Sequence, residues 1–185
     1  MNRFSLAINP SAEHAAECGS EQREVLDENA MRSAFAEIAS WPGYAPTPLH
    51  AMPGLAAETG VGEVYYKDES ERFGLGSFKP IGGAYAVYRA VARTLAESGA
   101  DLPTSAALLS GAHRDETAKI TVCAASDGNH GRSVAWGARM FGCRCVIYLN
   151  EAVTEGRERA IAAFGAQIVR NPGSYDDAIR AVAVR

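Results

Sequence analysis

The chain has 185 residues, 47% hydrophobic and 22% charged, with 18 Gly, 8 Pro and a formal net charge of −4, the proportions of an ordinary globular protein. No apolar run approaches the ~20 residues that span a bilayer, and no sustained apolar stretch of a secretory signal precedes Asn9-Pro10, so a cytoplasmic protein without a membrane segment is expected. Residues 1–60 carry 3 Lys and Arg against 8 Asp and Glu, the remainder 15 against 14; neither part has the basic surplus that a nucleic-acid partner requires.

Residues 1–24 are polar and aperiodic and read as an arm. Asp27 suits the cap of a helix whose apolar stripe is Met31, Ala34, Phe35 and Ile38, spaced as a helix requires. Trp41-Pro42-Gly43 stops it, and the prolines at 46 and 48 hold residues 44–49 extended. Val64, Tyr65 and Tyr66 predict a strand over 61–68. A glycine-rich polar loop, 69–77, leads to a helix over 80–98 that opens on Pro80 and carries Ala84, Val87, Tyr88, Val91 and Leu95 on one face. Residues 100–118 read as a polar surface insertion.

From there the pattern is regular: strand 119–125, tight loop 127–131, helix 132–141, strand 144–149, helix 154–164, strand 167–170 and helix 175–184. Such alternation predicts an α/β fold, a parallel sheet with flanking helices in three layers. The expected division is an arm plus part of a large domain over 1–99 and a small parallel α/β domain over 100–185. Its last amphipathic helix, with Ala178, Ile179, Ala181 and Val182, stops at Arg185 without a cap, which reads as a chain cut short. Cys18, Cys123, Cys143 and Cys145 lack the paired spacing of a zinc site, so no metal is expected, and they read as four reduced thiols.

Two segments carry chemistry. In the first, Gly74-Leu75-Gly76-Ser77-Phe78-Lys79-Pro80, the lysine is not preceded by Gly or followed by Ser or Thr, so it is not a phosphate loop. It is a lysine at the mouth of a helix, beside an aromatic ring and a glycine-rich loop, a setting suited to covalent chemistry between an amine and a carbonyl; a solvated surface lysine is the plain alternative. In the second, Ser126-Asp127-Gly128-Asn129-His130-Gly131 lies on a strand-to-helix turn, where open α/β sheets place ligands. Its glycines let the backbone approach a ligand, and the helix N-terminus favours an anion. Here the plain alternative is a tight turn using Asp and Asn for their geometry.

Taken together, Pro46-Thr47-Pro48-Leu49, Ser77-Phe78-Lys79 with Gly82-Gly83-Ala84-Tyr85, and Ser126-x-Gly128-Asn129-His130-Gly131 resemble the fold-type II pyridoxal phosphate enzymes, the tryptophan synthase β chain superfamily. Within it, Lys67-Asp68-Glu69-Ser70 and Asp127-Gly128-Asn129-His130-Gly131-Arg132-x-Val134-Ala135-Trp136 are most similar to the diaminopropionate ammonia-lyases. The resemblance runs from about Met31 onward. It implies pyridoxal 5'-phosphate as cofactor, held covalently by Lys79, with Asn129 bonded to its 3-oxygen and Phe78 and Gly128 beside them. Asp127 becomes the base for a D-substrate, the reaction an α,β-elimination of 2,3-diaminopropionate to pyruvate and two ammonia, and the full-length enzyme a homodimer acting on a small amino acid. A serine/threonine dehydratase-like lyase and an inactive fragment or binding module are the alternatives. Pro80 departs from the pattern by lacking an N–H, and the family's glycine-rich phosphate cradle and pyridine-nitrogen partner are not found before Arg185.

Overall fold

The computed structural model describes residues 7–12, 17–25, 27–99 and 101–184, and the chain divides into two units, residues 1–35 and 36–185. In the first unit a short helix, α1 (Ser20–Val25), interrupts the region read as aperiodic. Next comes α2 (Glu28–Ala39), which continues into the second unit. As expected, the Asp27 carboxylate caps it, accepting from the Asn29 and Ala30 amides at 3.2 Å each. Of the predicted stripe only Ile38 is buried, whereas Met31 and Phe35 are exposed. Helical spacing makes a face, but only a covering element buries it.

The second unit opens with β1 (Leu49–Ala51), α3 (Pro53–Thr59) and β2 (Tyr65–Lys67), in which β1 and β2 pair antiparallel with Leu49 opposite Lys67. The strand expected over 61–68 is thus reduced to three residues. The sequence reading passed over α3, a helix of seven residues that starts on Pro53 and ends on a left-handed Gly60 at φ 71°. It is too short to show a periodic stripe.

The long helix α4 (Lys79–Glu97) buries the whole expected face, Ala84, Val87, Tyr88, Val91 and Leu95. After it, 101–118 is not a surface insertion. It forms α5 (Ser105–Leu109) and α6 (Arg114–Thr117), with Ser105, Leu108 and Thr117 buried. The Trp41 indole donates to Ser105 Oγ at 3.1 Å, and Tyr88 donates to the Pro103 carbonyl at 3.3 Å. Ser105 is internal because it satisfies the buried Trp41 donor, and Thr117 because its hydroxyl donates to the Arg114 and Gly142 carbonyls.

The remaining elements are β3 (Thr121–Ala125), α7 (Asn129–Phe141), β4 (Arg144–Asn150), α8 (Glu155–Ala162), β5 (Gln167–Asn171) and α9 (Tyr175–Ala183). The sheet order is β3-β4-β5, all parallel, with Ala125 opposite Tyr148 and Tyr148 opposite Val169. On one face α4 and α7 enclose a core that includes Phe141, Ile147, Leu149 and Ile161. Each such side chain contributes ~1.5–3 kcal/mol by leaving water. On the other face Ala178 of α9 packs with Val146 and Tyr148, completing three layers. One hydrophobic cluster runs from Ile38 through α4 and the sheet to Ala166, so α4 and the sheet share a core across position 100. All four cysteines are free. Burial pushes the Cys143 thiol up to about 11 and the Cys145 thiol up to about 12.

Helices α4 and α7 meet through small residues. A Cβ on Gly83 would stand 2.0 Å from Ser133 Oγ, and one on Gly137 would stand 2.8 Å from Ala84 Cα. The neighbour of Gly137 is backbone and cannot step aside. Gly137→Ala is therefore expected to destabilise the chain in urea unfolding by ~1–3 kcal/mol from overpacking, exceeding the ~1 kcal/mol that Ala gains over Gly in a helix. Gly156→Ala, on α8 where a Cβ meets nothing within 4 Å, is expected to have the opposite sign.

Candidate functional site

The lysine segment is anchored before it begins. Arg72, only 6% exposed, donates to Glu69 at 2.7 and 3.0 Å, to the Ala45 carbonyl at 2.7 Å and to Thr47 Oγ1 at 3.0 Å. Thr47 in turn donates to Glu69, and the Lys67 ammonium to the Thr47 carbonyl. The extended Pro46-Thr47-Pro48 stretch and the start of the loop are thereby joined through one guanidinium fork. The Arg72 hydrogen bond is the main reason that the Glu69 carboxyl falls from 4.5 to about 2.

Phe73 follows in a left-handed conformation, φ 50°, rare for a side chain of that size. Its ring lies between Trp41, Tyr44 and Trp136, at centroid distances of 6.3, 6.1 and 4.9 Å, and this aromatic packing offsets the backbone strain. Gly74 and Gly76 then turn the chain at φ 70° and 69°. Phe78 is the N-cap of α4, and Lys79 is its first helical residue with buried Pro80 behind it, so the first turn has little need of the missing Pro80 N–H.

Lys79 is exposed, with its ammonium 5.0 Å over the 59%-exposed Phe78 ring. That ammonium makes no hydrogen bond or ion pair among the described residues. The backbone beneath it is held from α7, where Ser133 Oγ donates to the Lys79 carbonyl at 2.8 Å. Two residues before Ser133, Gly131 closes the second segment.

In that segment the tight loop expected over 127–131 is shorter, because Asn129, His130 and Gly131 already belong to α7. The reason is Ser126. Its buried Oγ accepts from Gly128 N at 3.1 Å and from Gly131 N at 2.7 Å, serving the orphan amides of the helix start. A Cβ on Gly131 would lie 2.9 Å from Ser126 Cβ and 3.1 Å from Ile147 Cγ2, so only glycine fits against β4. Gly128, by contrast, is open, with nothing nearer to a Cβ there than Arg157 Cδ at 4.0 Å. Asp127 and Asn129 are exposed at the end of β3. Since Ser126 serves the turn, the Asp127 carboxylate is spared that task. Desolvation, then the Lys79 charge, hold the His130 imidazole below its usual value.

The structure thus brings Lys79 and the 126–131 turn together through α4 and α7, with Phe78 beside the amine and Gly128 and Asn129 on the turn. Sequence reasoning missed Ser126 as the cap, Ser133 as the lysine's backbone partner, and Arg132, whose Nη1 donates to the Leu75 carbonyl at 2.9 Å. A Ser five residues ahead of Gly131 was a legible signal for the first; the other two have none within their own segment.

An exposed lysine on a glycine-rich loop, set against a turn at the carboxyl edge of a parallel sheet, is an arrangement for a carbonyl-bearing cofactor. The chain belongs to the pyridoxal-phosphate dependent enzyme family, whose model matches residues 40–185, and the three-layer parallel fold is that of its fold-type II members. It is 36% identical over 156 residues to the diaminopropionate ammonia-lyase of Salmonella typhimurium, covering 84% of this chain and 38% of that protein. To the diaminopropionate ammonia-lyase of Escherichia coli it is 42% identical over 141 residues, 75% of this chain and 33% of that one. The crystal structure of the holo Escherichia coli enzyme superposes with a TM-score of 0.72 at 34% identity, over 85% of this chain and 39% of that chain. The chain therefore spans little more than a third of the length of these relatives.

The residues present suit the covalent end of pyridoxal phosphate: a primary amine with no hydrogen-bond or ion-pair partner among the described residues, and an open glycine on the turn over 126–131. The clamp upstream is testable by pH. Because the folded Glu69 carboxyl is depressed to about 2 from 4.5, its contribution is present above the unfolded value and is lost as pH falls from about 4.5 toward 2. Glu69→Gln is expected to be less stable than wild type to urea at pH 7, with the difference narrowing steadily below pH 4.5.

Proposed function

We propose that this chain carries the cofactor lysine and the substrate turn of a lyase that converts 2,3-diaminopropionate and water to pyruvate and two ammonia by α,β-elimination. The observation that carries the reading is the joining of the two chemical segments by Arg132 and Ser133, neighbours on α7, with Lys79 exposed and the turn served by Ser126 rather than by the Asp127 carboxylate. The likeness to the diaminopropionate ammonia-lyases over both segments supports it.

In this reading Lys79 would hold pyridoxal phosphate covalently, with Phe78 beside the amine. Gly128, open on its Cβ side, would leave room for the cofactor, and the Asn129 amide, at the first position of α7, would donate to its 3-oxygen. When bound, the cofactor supplies an electron sink for negative charge developing at the substrate Cα. Asp127 takes the Cα proton of D-2,3-diaminopropionate, and its exposure on the turn leaves it free to swing to that proton. Exclusion of water and orientation of the Cα–H bond fall to the loop over 74–78 and the turn over 126–129, which the fold holds in one body.

Two substitutions test the assignment. Lys79→Ala should remove most of the adduct that borohydride fixes when the 185-residue chain is mixed with pyridoxal phosphate, leaving only what Lys67 and Lys119 carry; an adduct undiminished in the variant overturns the role of Lys79. Asp127→Asn keeps size and turn geometry but removes the base, so pyruvate release from D-2,3-diaminopropionate, with serine assayed beside it as the dehydratase control, should fall by about 10²–10⁴-fold while the adduct persists. Near wild-type turnover with the adduct intact would show that Asp127 only shapes the turn, and faster release from serine than from diaminopropionate would favour a dehydratase.

A further inference from the structure

We propose that Arg132 is a positioning residue for Lys79, pinning the loop that carries it so that the amine keeps its place over α7; the proposal rests on the reading of Lys79 given above. Arg132 and Ser133 are successive residues on α7, and each grips one end of a five-residue stretch. Arg132 Nη1 donates to the Leu75 carbonyl at 2.9 Å, and Ser133 Oγ donates to the Lys79 carbonyl at 2.8 Å. Between those carbonyls lies Gly76, at φ 69°, which is free to take other conformations unless its neighbours are held. Upstream, Phe73 is already fixed in its aromatic surroundings and Arg72 in its clamp. The stretch 75–79 is therefore pinned at both ends, and Arg132 supplies the upstream pin.

The environment of Arg132 shows why the residue is polar. Its guanidinium carbon lies 5.8 Å over the Phe164 ring, and its Nε is buried without a hydrogen-bond partner among the described residues. A buried unpaired donor is a cost that a methionine of similar length would avoid. What the guanidinium supplies and methionine cannot is the bond to the Leu75 carbonyl. Because Arg132 directly follows the Asn129-His130-Gly131 turn, it ties the position of the lysine loop to that turn and not only to the core.

The test uses the full 185-residue chain as wild type, Arg132→Met and Arg132→Lys. Amide hydrogen exchange is followed by peptide mass, and each protein is also treated with pyridoxal phosphate and cyanoborohydride. The chain has three lysines, Lys67, Lys79 and Lys119, so the distribution of adduct is read directly. Arg132→Met is expected to speed exchange over 74–79 about tenfold, the loss of roughly one hydrogen bond's worth of protection. It is also expected to lower the share of adduct at Lys79 several-fold while β4 stays protected, and Arg132→Lys should restore part of both. A purely structural role would change overall stability without moving the adduct among lysines. Wild-type exchange and wild-type adduct distribution in Arg132→Met overturn the proposal. Should Arg132→Met also lose protection in β4, Arg132→Lys decides on the same two readouts: intermediate values support the proposal, and wild-type ones overturn it. Faster exchange over 74–79 with wild-type adduct spread evenly over the three lysines would overturn the reading of Lys79 and leave the anchoring by Arg132 standing.

Discussion

Helices α4 and α7 approach until Gly137 faces Ala84 and Gly83 faces Ser133, and the position of every residue in the site descends from that contact. Small residues at an interface let two backbones come close enough for a serine hydroxyl on one helix to reach a main-chain carbonyl on the other. The carbonyl it reaches is that of Lys79. The opposite side of α7 rests on the sheet, where Gly131 lies against Ile147 and Ser126. One helix therefore registers the lysine loop against the end of β3, and glycines at its two close approaches make both possible.

Two arginines carry the loop from either side, Arg72 buried and Arg132 half-buried. Arg72 is compensated by Glu69, whose carboxyl is held down to about 2, and by the carbonyl of Ala45. Arg132 has no carboxylate partner among the described residues and relies on the Phe164 ring and the Leu75 carbonyl. Cations withdrawn from water in this way contribute little net stability but are costly to disturb, so their worth lies in specifying one arrangement. The aromatic group of Trp41, Tyr44, Phe73 and Trp136 does the same with dispersion, and it holds Phe73 in a backbone conformation that it would otherwise leave.

Much of this was legible from spacing. The stripe on α4 is buried as read, the strand-helix alternation is a parallel sheet in three layers, and Asp27 caps α2. Short elements were not: α3, α5 and α6 have seven, five and four residues, fewer than a periodic pattern needs to declare itself. Composition misled over 101–118, where Ser105 is buried against the Trp41 indole and Thr117 against the Gly142 carbonyl. In the candidate site the chemical groups were found as two motifs, whereas Ser126, Arg132 and Ser133 were missed because their partners lie elsewhere in the chain or in the helix geometry.

The sequence by itself determined which residues can do chemistry: an amine at a helix mouth, a carboxylate and an amide on a strand-to-helix turn, and the fold class that puts such turns at a sheet's edge. Those are properties of residue type and local period, and a one-dimensional pattern carries them. Only the tertiary structure decided that Ser133 and Arg132 hold a loop more than fifty residues upstream, and that Phe73 can stay at positive φ. Each of these depends on a hydrogen bond or ring contact that folding alone creates, between groups whose separation in the chain says nothing of their distance in space.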